Sequence, residues 1–345
     1  MTSKDDALEY GELYKMKTLA LLALVLACTF ANAATTIKVA TVAPDGTAWM
    51  REMRASADAV KKRTEDRVEI KFYPGGVMGD EATVLRKIKI GQLHGGAFTG
   101  GELSNSVKDA QIYSLPFVFK TQDEVDKVRT QLDPLLKQAF EKAGFEALGI
   151  SGGGFAYLMS VKDIKNKDDL KAAKVWVPQG DRIAEAGFKA GDVTPIPLPL
   201  ADVYTSLQTG LIDTAANTPA GAIAFQWHTK IKHMIDLPLT YVVGILVVDK
   251  KVFDALSADD KKAVTEEVGA AFTRLEKINR DDNTQAREAL QKQGITISTP
   301  NASETASWEA VGNNARKNLV SDGEITPEMA AALDKALTAA RGGAK

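Results

Sequence analysis

The sequence predicts an α/β protein that is large enough for two domains. Its 345 residues are 45% hydrophobic and 26% charged, which is a globular composition. Segments that alternate between apolar and polar residues are followed by segments with helical spacing of apolar residues, and this order repeats. A β-α-β-α order predicts a mainly parallel sheet with helices on both faces.

The first hundred residues show this order most clearly. The predicted elements are a strand at 37–42, a helix over 49–60 capped by Thr47, a strand at 68–72, and a helix that begins at Asp80-Glu81 and ends at Gly91. The two carboxylates at the start of the second helix suit the positive end of its dipole.

The rest of the chain repeats the pattern and adds one long helix. Strands are predicted at 175–177, 211–215 and 245–248, helices at 182–190 and 201–209, and a turn at Gly152-Gly153-Gly154. From Ser257 a helical pattern runs to about Lys292. A helix of that length extends roughly 50 Å, which is enough to span two domains.

The N-terminus predicts export. Met16-Lys17, an apolar run and Ala31-Asn32-Ala33 have the order of a signal peptide, so residues 1–33 are interpreted as a leader and signal peptide. Residues 1–15 are too acidic for a signal sequence, and we expect Met16 to be the start. The alternative is a lipoprotein anchored at Cys28, which is the only cysteine of the chain.

No motif for catalysis, cofactors or nucleic acid is found. The chain has no P-loop, no dinucleotide-binding glycine motif and no nucleophile elbow. His94, His228 and His233 lack the spacing of a metal site. A formal net charge of -2 gives no reason to expect nucleic-acid binding. We therefore expect a protein that is not an enzyme and that uses no cofactor or metal.

Five short segments occur in an order typical of one transport family. They are Tyr73-Pro74 through Gly79-Asp80, Gly91-Gln92-Leu93, Leu115-Pro116-Phe117, Asp169 through Pro178, and Val203-Tyr204 through Asn217. Each segment is weak alone, but the order and spacing are specific. From about Thr35 to Leu337 the chain resembles the solute-binding subunit of TRAP (tripartite ATP-independent periplasmic) transporters.

The resemblance implies a two-lobed periplasmic binding protein fold with two mixed sheets, hinge strands and a long helix that spans both lobes. Residues 34–153 plus 243–282 would form lobe I. Residues 154–242 plus 283–345 would form lobe II, with the ligand cleft between the lobes. The implied partners are a small-molecule ligand and the TRAP permease in the membrane. A monomer is implied as well.

The resemblance also implies the ligand-binding positions. They are Val42, Thr99, Ala156, Trp176, Leu200 and Asn217, and we expect the aromatic residues Phe155 and Tyr241 to join them in the pocket. The family's usual carboxylate-gripping arginine is replaced by Trp176, and a second arginine of some members is replaced by Ala156. Asn217 keeps the expected polar type.

These departures predict the class of ligand. A carboxylate that is enclosed without a cation carries a desolvation cost of several kcal/mol. The sequence therefore favours a hydrophobic or uncharged aromatic solute, as in the lipophilic-ligand branch of the family, whose members can use a TPR-repeat partner protein. The alternative is an organic acid held by a non-standard anchor, such as Arg182. Trp176 could also be a core residue.

Overall fold

The structure is a computed structural model that describes residues 34–342. The strands are β1 (Thr35–Thr41), β2 (Val68–Tyr73), β3 (Gly95–Thr99), β4 (Phe145–Ser160), β5 (Trp176–Pro178), β6 (Ile196–Leu198), β7 (Thr214–Asn217), β8 (His233–Ile235), β9 (Thr240–Asp249) and β10 (Thr296–Ser298). The predicted export signal and the alternative anchor at Cys28 lie outside the described residues.

Helices connect and cover these strands. They are α1 (Ala48–Arg63), α2 (Glu81–Lys89), α3 (Gly100–Leu103), α4 (Gln122–Lys142), α5 (Lys167–Lys171), α6 (Arg182–Lys189), α7 (Val203–Thr209), α8 (Pro219–Ala224), α9 (Lys250–Asp254), α10 (Ala258–Lys292), α11 (Ala302–Ser321) and α12 (Pro327–Gly342). Short 3-10 helices lie at Lys108–Ser114, Leu200–Asp202 and Trp227–Thr229. Within residues 34–342, no helix has the length and apolarity needed to cross a membrane.

Capping residues fix several helix starts where the sequence predicts them. Thr47 accepts a hydrogen bond from the amide of Met50 at 3.3 Å, and Asp80 accepts one from the amide of Thr83 at 2.8 Å. Ser257 accepts from the amide of Asp260 at 3.1 Å, so the long helix begins where predicted. These bonds satisfy amides that the first turn of a helix leaves unpaired.

The main sheet has eight strands and is mixed, whereas the β-α-β-α order predicted a mainly parallel one. The strand order is β10-β8-β4-β9-β3-β1-β2, with β7 also pairing with β4, while β5 and β6 form a small separate pair. β1 runs parallel to β3, and β9 is inserted antiparallel to both β3 and β4. The antiparallel strands β4 and β9 therefore lie at the centre of the sheet and join its β3-β1-β2 side to its β8-β10 side.

The triple glycine lies in β4, and the predicted turn there is wrong. β4 pairs with β9 as far as Ala156 and then with β7 and β8. The pairing register shifts between Gly152 and Gly154, and Gly154 has a φ of +109°. The glycines therefore form a β-bulge inside a long strand. We refer to Gly152–Gly154 as the glycine bulge.

Buried side chains form separate cores in the two halves of the molecule. Two cores are built mainly from residues 37–150 and 241–275, and the larger of them also takes in Ile183 and residues from 319–340. Two others are built from residues 158–235 together with Leu290, Ile295 and Trp308. The long helix α10 contributes Leu275 to the first half and Leu290 to the second. It therefore spans both halves, as expected.

The C-terminal helix departs from the predicted lobe assignment. The sequence placed residues 283–345 in lobe II. Leu319, Leu333 and Leu337 are instead buried in the same core as Val125 and Phe140 of α4. Helix α12 therefore packs on the first half of the molecule. The other lobe limits remain a proposal.

Candidate functional site

A cavity of about 850 Å³, referred to below as the cleft, is lined by both halves of the chain. One wall comes from residues 41–49 after β1, the start of α2 and residues 97–102. The other wall comes from residues 176–181, Leu200 and residues 216–225. Further lining comes from β4, β9 and α10, which cross between the halves, and from other segments that include Pro116, Lys167, Phe188 and Trp308.

Six of the eight residues that the sequence assigned to the site line this cleft. They are Val42, Thr99, Ala156, Trp176, Leu200 and Asn217. The hydroxyl of Thr99 is already engaged, since it donates to Glu81 at 3.2 Å. Contact of these residues with a ligand remains a prediction.

Phe155 and Tyr241 do not line the cleft, which corrects their predicted assignment. The two residues face each other across β4 and β9, and their rings meet edge to face at 5.2 Å. Tyr241 is 1% exposed and accepts a hydrogen bond from Gln122 of α4 at 3.0 Å. Successive strand residues point to opposite faces, so their neighbours Ala156 and Thr240 reach the cleft while these rings enter the core.

Trp176 belongs to both the cleft wall and the core. Its indole N–H donates to the carbonyl of Leu198 at 3.0 Å, and its ring packs edge to face against Trp227 at 5.3 Å. The side chain is 5% exposed. The contacts with Leu198 and Trp227 therefore hold the indole in a fixed orientation, and the indole contributes an apolar surface to the cleft.

Asparagines supply neutral polar groups to the cleft. Asn217 accepts a hydrogen bond from the amide of Thr218 at 2.8 Å. Asn279 and Asn283 of α10 donate to the carbonyls of Gly152 and Gly153, each at 2.7 Å. The two α10 asparagines were not predicted, because an asparagine on a long exposed helix gives no sequence signal of a cleft.

Three carboxyl groups approach one another at the cleft: Glu81 of α2, Glu102 of α3 and Asp181, which caps α6. Burial raises the pKa of Glu81 to about 8, and the charges of Glu102 and Asp181 add to the shift, while hydrogen bonds from Thr99 oppose it. Burial also raises the pKa of Asp181 to about 6. It raises the pKa of Glu102, with repulsion from Asp80 and Asp181 acting in the same direction.

Cations are scarce around these carboxyl groups. Lys167 is the only lysine or arginine among the lining residues that the structure describes. Arg182, proposed as a replacement anchor, forms an ion pair with Glu324 at 2.9 Å on an exposed surface. In the described part of the chain, no group of three or more acidic, histidine or cysteine side chains is arranged to hold a metal ion.

Sequence reasoning missed Glu81 as a cleft residue because Asp80-Glu81 has the pattern of a helix start. In the structure Asp80 is the cap, and Glu81 turns to Thr99, whose amide donates to it at 3.0 Å. Glu81 is therefore not needed as a helix cap, and its position in the cleft lining follows only from the fold.

Comparison with known proteins gives a family match over most of the chain. Residues 39–322 match the family described as bacterial extracellular solute-binding protein, family 7. A similar curated protein is the C4-dicarboxylate-binding periplasmic protein DctP of Rhodobacter capsulatus. It is 23% identical over 257 residues, which are 74% of this chain and 77% of that protein.

Solved structures share the fold. The sugar acid binding protein DctPAm from Advenella mimigardefordensis, in complex with galactonate, superposes with a TM-score of 0.83 at 19% identity, covering 89% of this chain and 99% of that one. A TRAP periplasmic solute binding protein from Xanthobacter autotrophicus, with bound β-D-galacturonate, gives 0.81 at 20% identity, covering 88% and 99%. The predicted two-lobed binding-protein fold is confirmed by this agreement.

Proposed function

Because the chain belongs to family 7 of the bacterial extracellular solute-binding proteins and is a TRAP solute-binding subunit, we propose that it captures an organic acid in the cleft and delivers it to a membrane permease. The observation that carries this proposal is the chemistry of the relatives' ligands. A C4-dicarboxylate, galactonate and galacturonate are all acids.

The same observation favours the organic-acid alternative over the hydrophobic solute that the sequence suggested. The polar groups of the cleft agree with this choice. Glu81, Asp181 and Asn217 can accept hydrogen bonds from hydroxyl groups, which sugar acids carry and lipophilic solutes do not. Trp176 and Leu200 then cover the apolar face of the bound molecule.

The anchor for the ligand carboxylate differs from the arginine that the resemblance implies. Lys167 is the single cation of the described lining, and neutral donors complete the set of groups that can hold the carboxylate. The amide nitrogen of Asn217 is one such donor. Glu81 is another, since a carboxyl group with a pKa of about 8 is mostly protonated at pH 7 and can donate a hydrogen bond.

We place this function in the periplasm, together with the permease as partner, since the curated DctP relative is a periplasmic protein. Export by a signal peptide or anchoring at Cys28 stays a prediction that concerns residues outside the described range. A TPR-repeat partner and a monomeric state also remain predictions.

The test is identification of the ligand. The protein is purified without added solute, its bound molecules are identified by mass spectrometry, and a panel is screened by thermal shift. The panel contains D-galacturonate, D-galactonate and succinate, with D-galactose and benzyl alcohol as uncharged members. We expect an acid to co-purify or to raise Tm. An uncharged aromatic solute as the single binder would contradict the proposal and restore the hydrophobic alternative.

A further inference from the structure

The glycine bulge is the point at which β4 passes from one half of the sheet to the other. On its N-terminal side β4 pairs with β9, with one further register shift between Ala147 and Gly149, and beyond Ala156 it pairs with β7 and β8. Ser151 and Gly153 line the cleft. β4 therefore crosses between the cleft walls at this bulge, beside the other crossing elements β9 and α10.

Side chains hold four backbone groups of this segment. Arg129 donates to the carbonyl of Ile150 at 2.9 Å, and Glu276 accepts from the amide of Gly152 at 2.9 Å. Asn279 and Asn283 donate to the carbonyls of Gly152 and Gly153, each at 2.7 Å. A bulge removes ladder partners from the backbone, and these side chains supply replacements.

Three of these side chains form one stripe of the long helix α10. Glu276, Asn279 and Asn283 are spaced three and four residues apart, so they lie on the same helix face. Asn283 also accepts a hydrogen bond from the amide of Ala220 at 3.1 Å, in the first turn of α8. Asn217 and Thr218, which precede that turn, line the cleft. One asparagine therefore connects α10, β4 and the ligand-facing end of α8.

The close fit explains why glycines occupy the bulge. A side chain at Gly152 would begin 2.0 Å from the hydroxyl of Tyr241, and one at Gly154 would begin 2.5 Å from the amide nitrogen of Asn283. Only glycine leaves room for the helix stripe to reach the backbone, and only glycine readily adopts the φ of +109° found at Gly154.

We propose that Glu276, Asn279 and Asn283 are positioning residues for ligand capture, which hold the glycine bulge and thereby set the relative placement of the two cleft walls. This inference rests on the proposed binding function. The amide-to-carbonyl bonds of Asn279 and Asn283 suit such a role because they are neutral and individually modest in free energy, so they can be exchanged during closure, whereas Glu276 is also held by its ion pair with Arg129.

The test compares three variants. Asn283→Ala removes the hydrogen bonds of Asn283 with the carbonyl of Gly153 and the amide of Ala220. Asn314→Ala, which changes an exposed asparagine of α11, is the matched control. Leu290→Ala opens the α10 core without touching the stripe, so it lowers Tm as a purely structural change does. Affinity is measured by calorimetry with the acid found in the ligand screen.

Wall placement is measured separately, without ligand, by the distance between spin labels at Lys89→Cys and Lys162→Cys, with Cys28→Ser in every protein. For Asn283→Ala we expect a broadened or shifted distance distribution and a Kd about 5- to 30-fold weaker, as for the loss of one or two hydrogen bonds. Both controls should keep the wild-type distribution. An unchanged distribution for Asn283→Ala overturns the inference.

The two proposals fail differently. If no acid binds but the label distances change in Asn283→Ala, the organic-acid function fails while the positioning role stands. If the Kd values of wild type and Asn283→Ala for the acid agree within twofold, and their spin-label distance distributions are the same, the positioning role fails alone.

Discussion

Trp176 stands where the resemblance predicts an arginine, and its surroundings show what the replacement achieves. The indole nitrogen is engaged by Leu198, and the ring rests on Trp227 in the core of the second half. A ring fixed in this way presents an apolar surface at little entropic cost on binding. Trp176 is therefore both a buried residue and part of the cleft lining, and its contact with a ligand stays a prediction.

Glu81 carries the prediction about pH. If a ligand carboxylate approaches Glu81, the complex requires its protonated form, and only that fraction of the free protein binds. With a pKa of about 8, this fraction is nearly complete at pH 7 and small at pH 9. We expect the affinity for an acid to fall about tenfold from pH 7 to pH 9. Calorimetry at both values measures it.

Glu81→Gln is the direct check on that prediction, since the amide is neutral at both pH values. Its affinity should change less than about twofold over the range, whereas Glu288→Gln, an exposed change on α10, should keep the wild-type profile. An affinity that rises with pH would instead indicate a cationic ligand and would contradict the account.

Among the secondary-structure elements, residues close in sequence were enough to predict where helices begin, but not which side chains of a strand face the cleft. Thr47, Asp80 and Ser257 cap helices where the sequence predicts caps, because capping depends on residues within one turn. Phe155 and Tyr241 were assigned to the cleft, yet their side chains enter the core. A shift of one residue reverses the face of a strand, and the bulge that sets this register is made by distant contacts.

The glycine bulge gives a prediction for stability. Gly154→Ala should lower the free energy of unfolding by about 2 kcal/mol or more, because φ is +109° and a side chain would meet Asn283. Gly269→Ala is the matched control. It lies inside α10 with nothing within 4 Å of an added methyl group, so it should stabilise by about 0.5–1 kcal/mol. Equal urea midpoints for the two variants would contradict this.

At the scale of the whole molecule, ordered motifs predicted the two-lobed fold, and residue patterns could not assign its last helix. Helix α12 lies within residues 283–345, which were expected in lobe II. It returns to pack on α4, with Leu333 and Leu337 in that core. An amphipathic helix shows that it has an apolar face, but the sequence does not state which partner covers it.

Leu333 tests this placement. Leu333→Ala removes a side chain that is 1% exposed in the first core, so unfolding should become easier by about 2–5 kcal/mol. Leu135→Ala on α4 is the control, since Leu135 is 39% exposed and should change stability by about 0.5 kcal/mol or less. Similar small effects for both variants would show that α12 does not pack on this core.

The proposed function requires that the cleft captures an organic acid without an arginine anchor. Calorimetry at pH 7 with the best acid of the ligand screen, and with its analogue in which CH₂OH replaces the carboxylate, tests it most directly. We expect the acid to bind at least about tenfold tighter than the analogue, equivalent to about 1.4 kcal/mol. Equal or tighter binding of the uncharged analogue would contradict it.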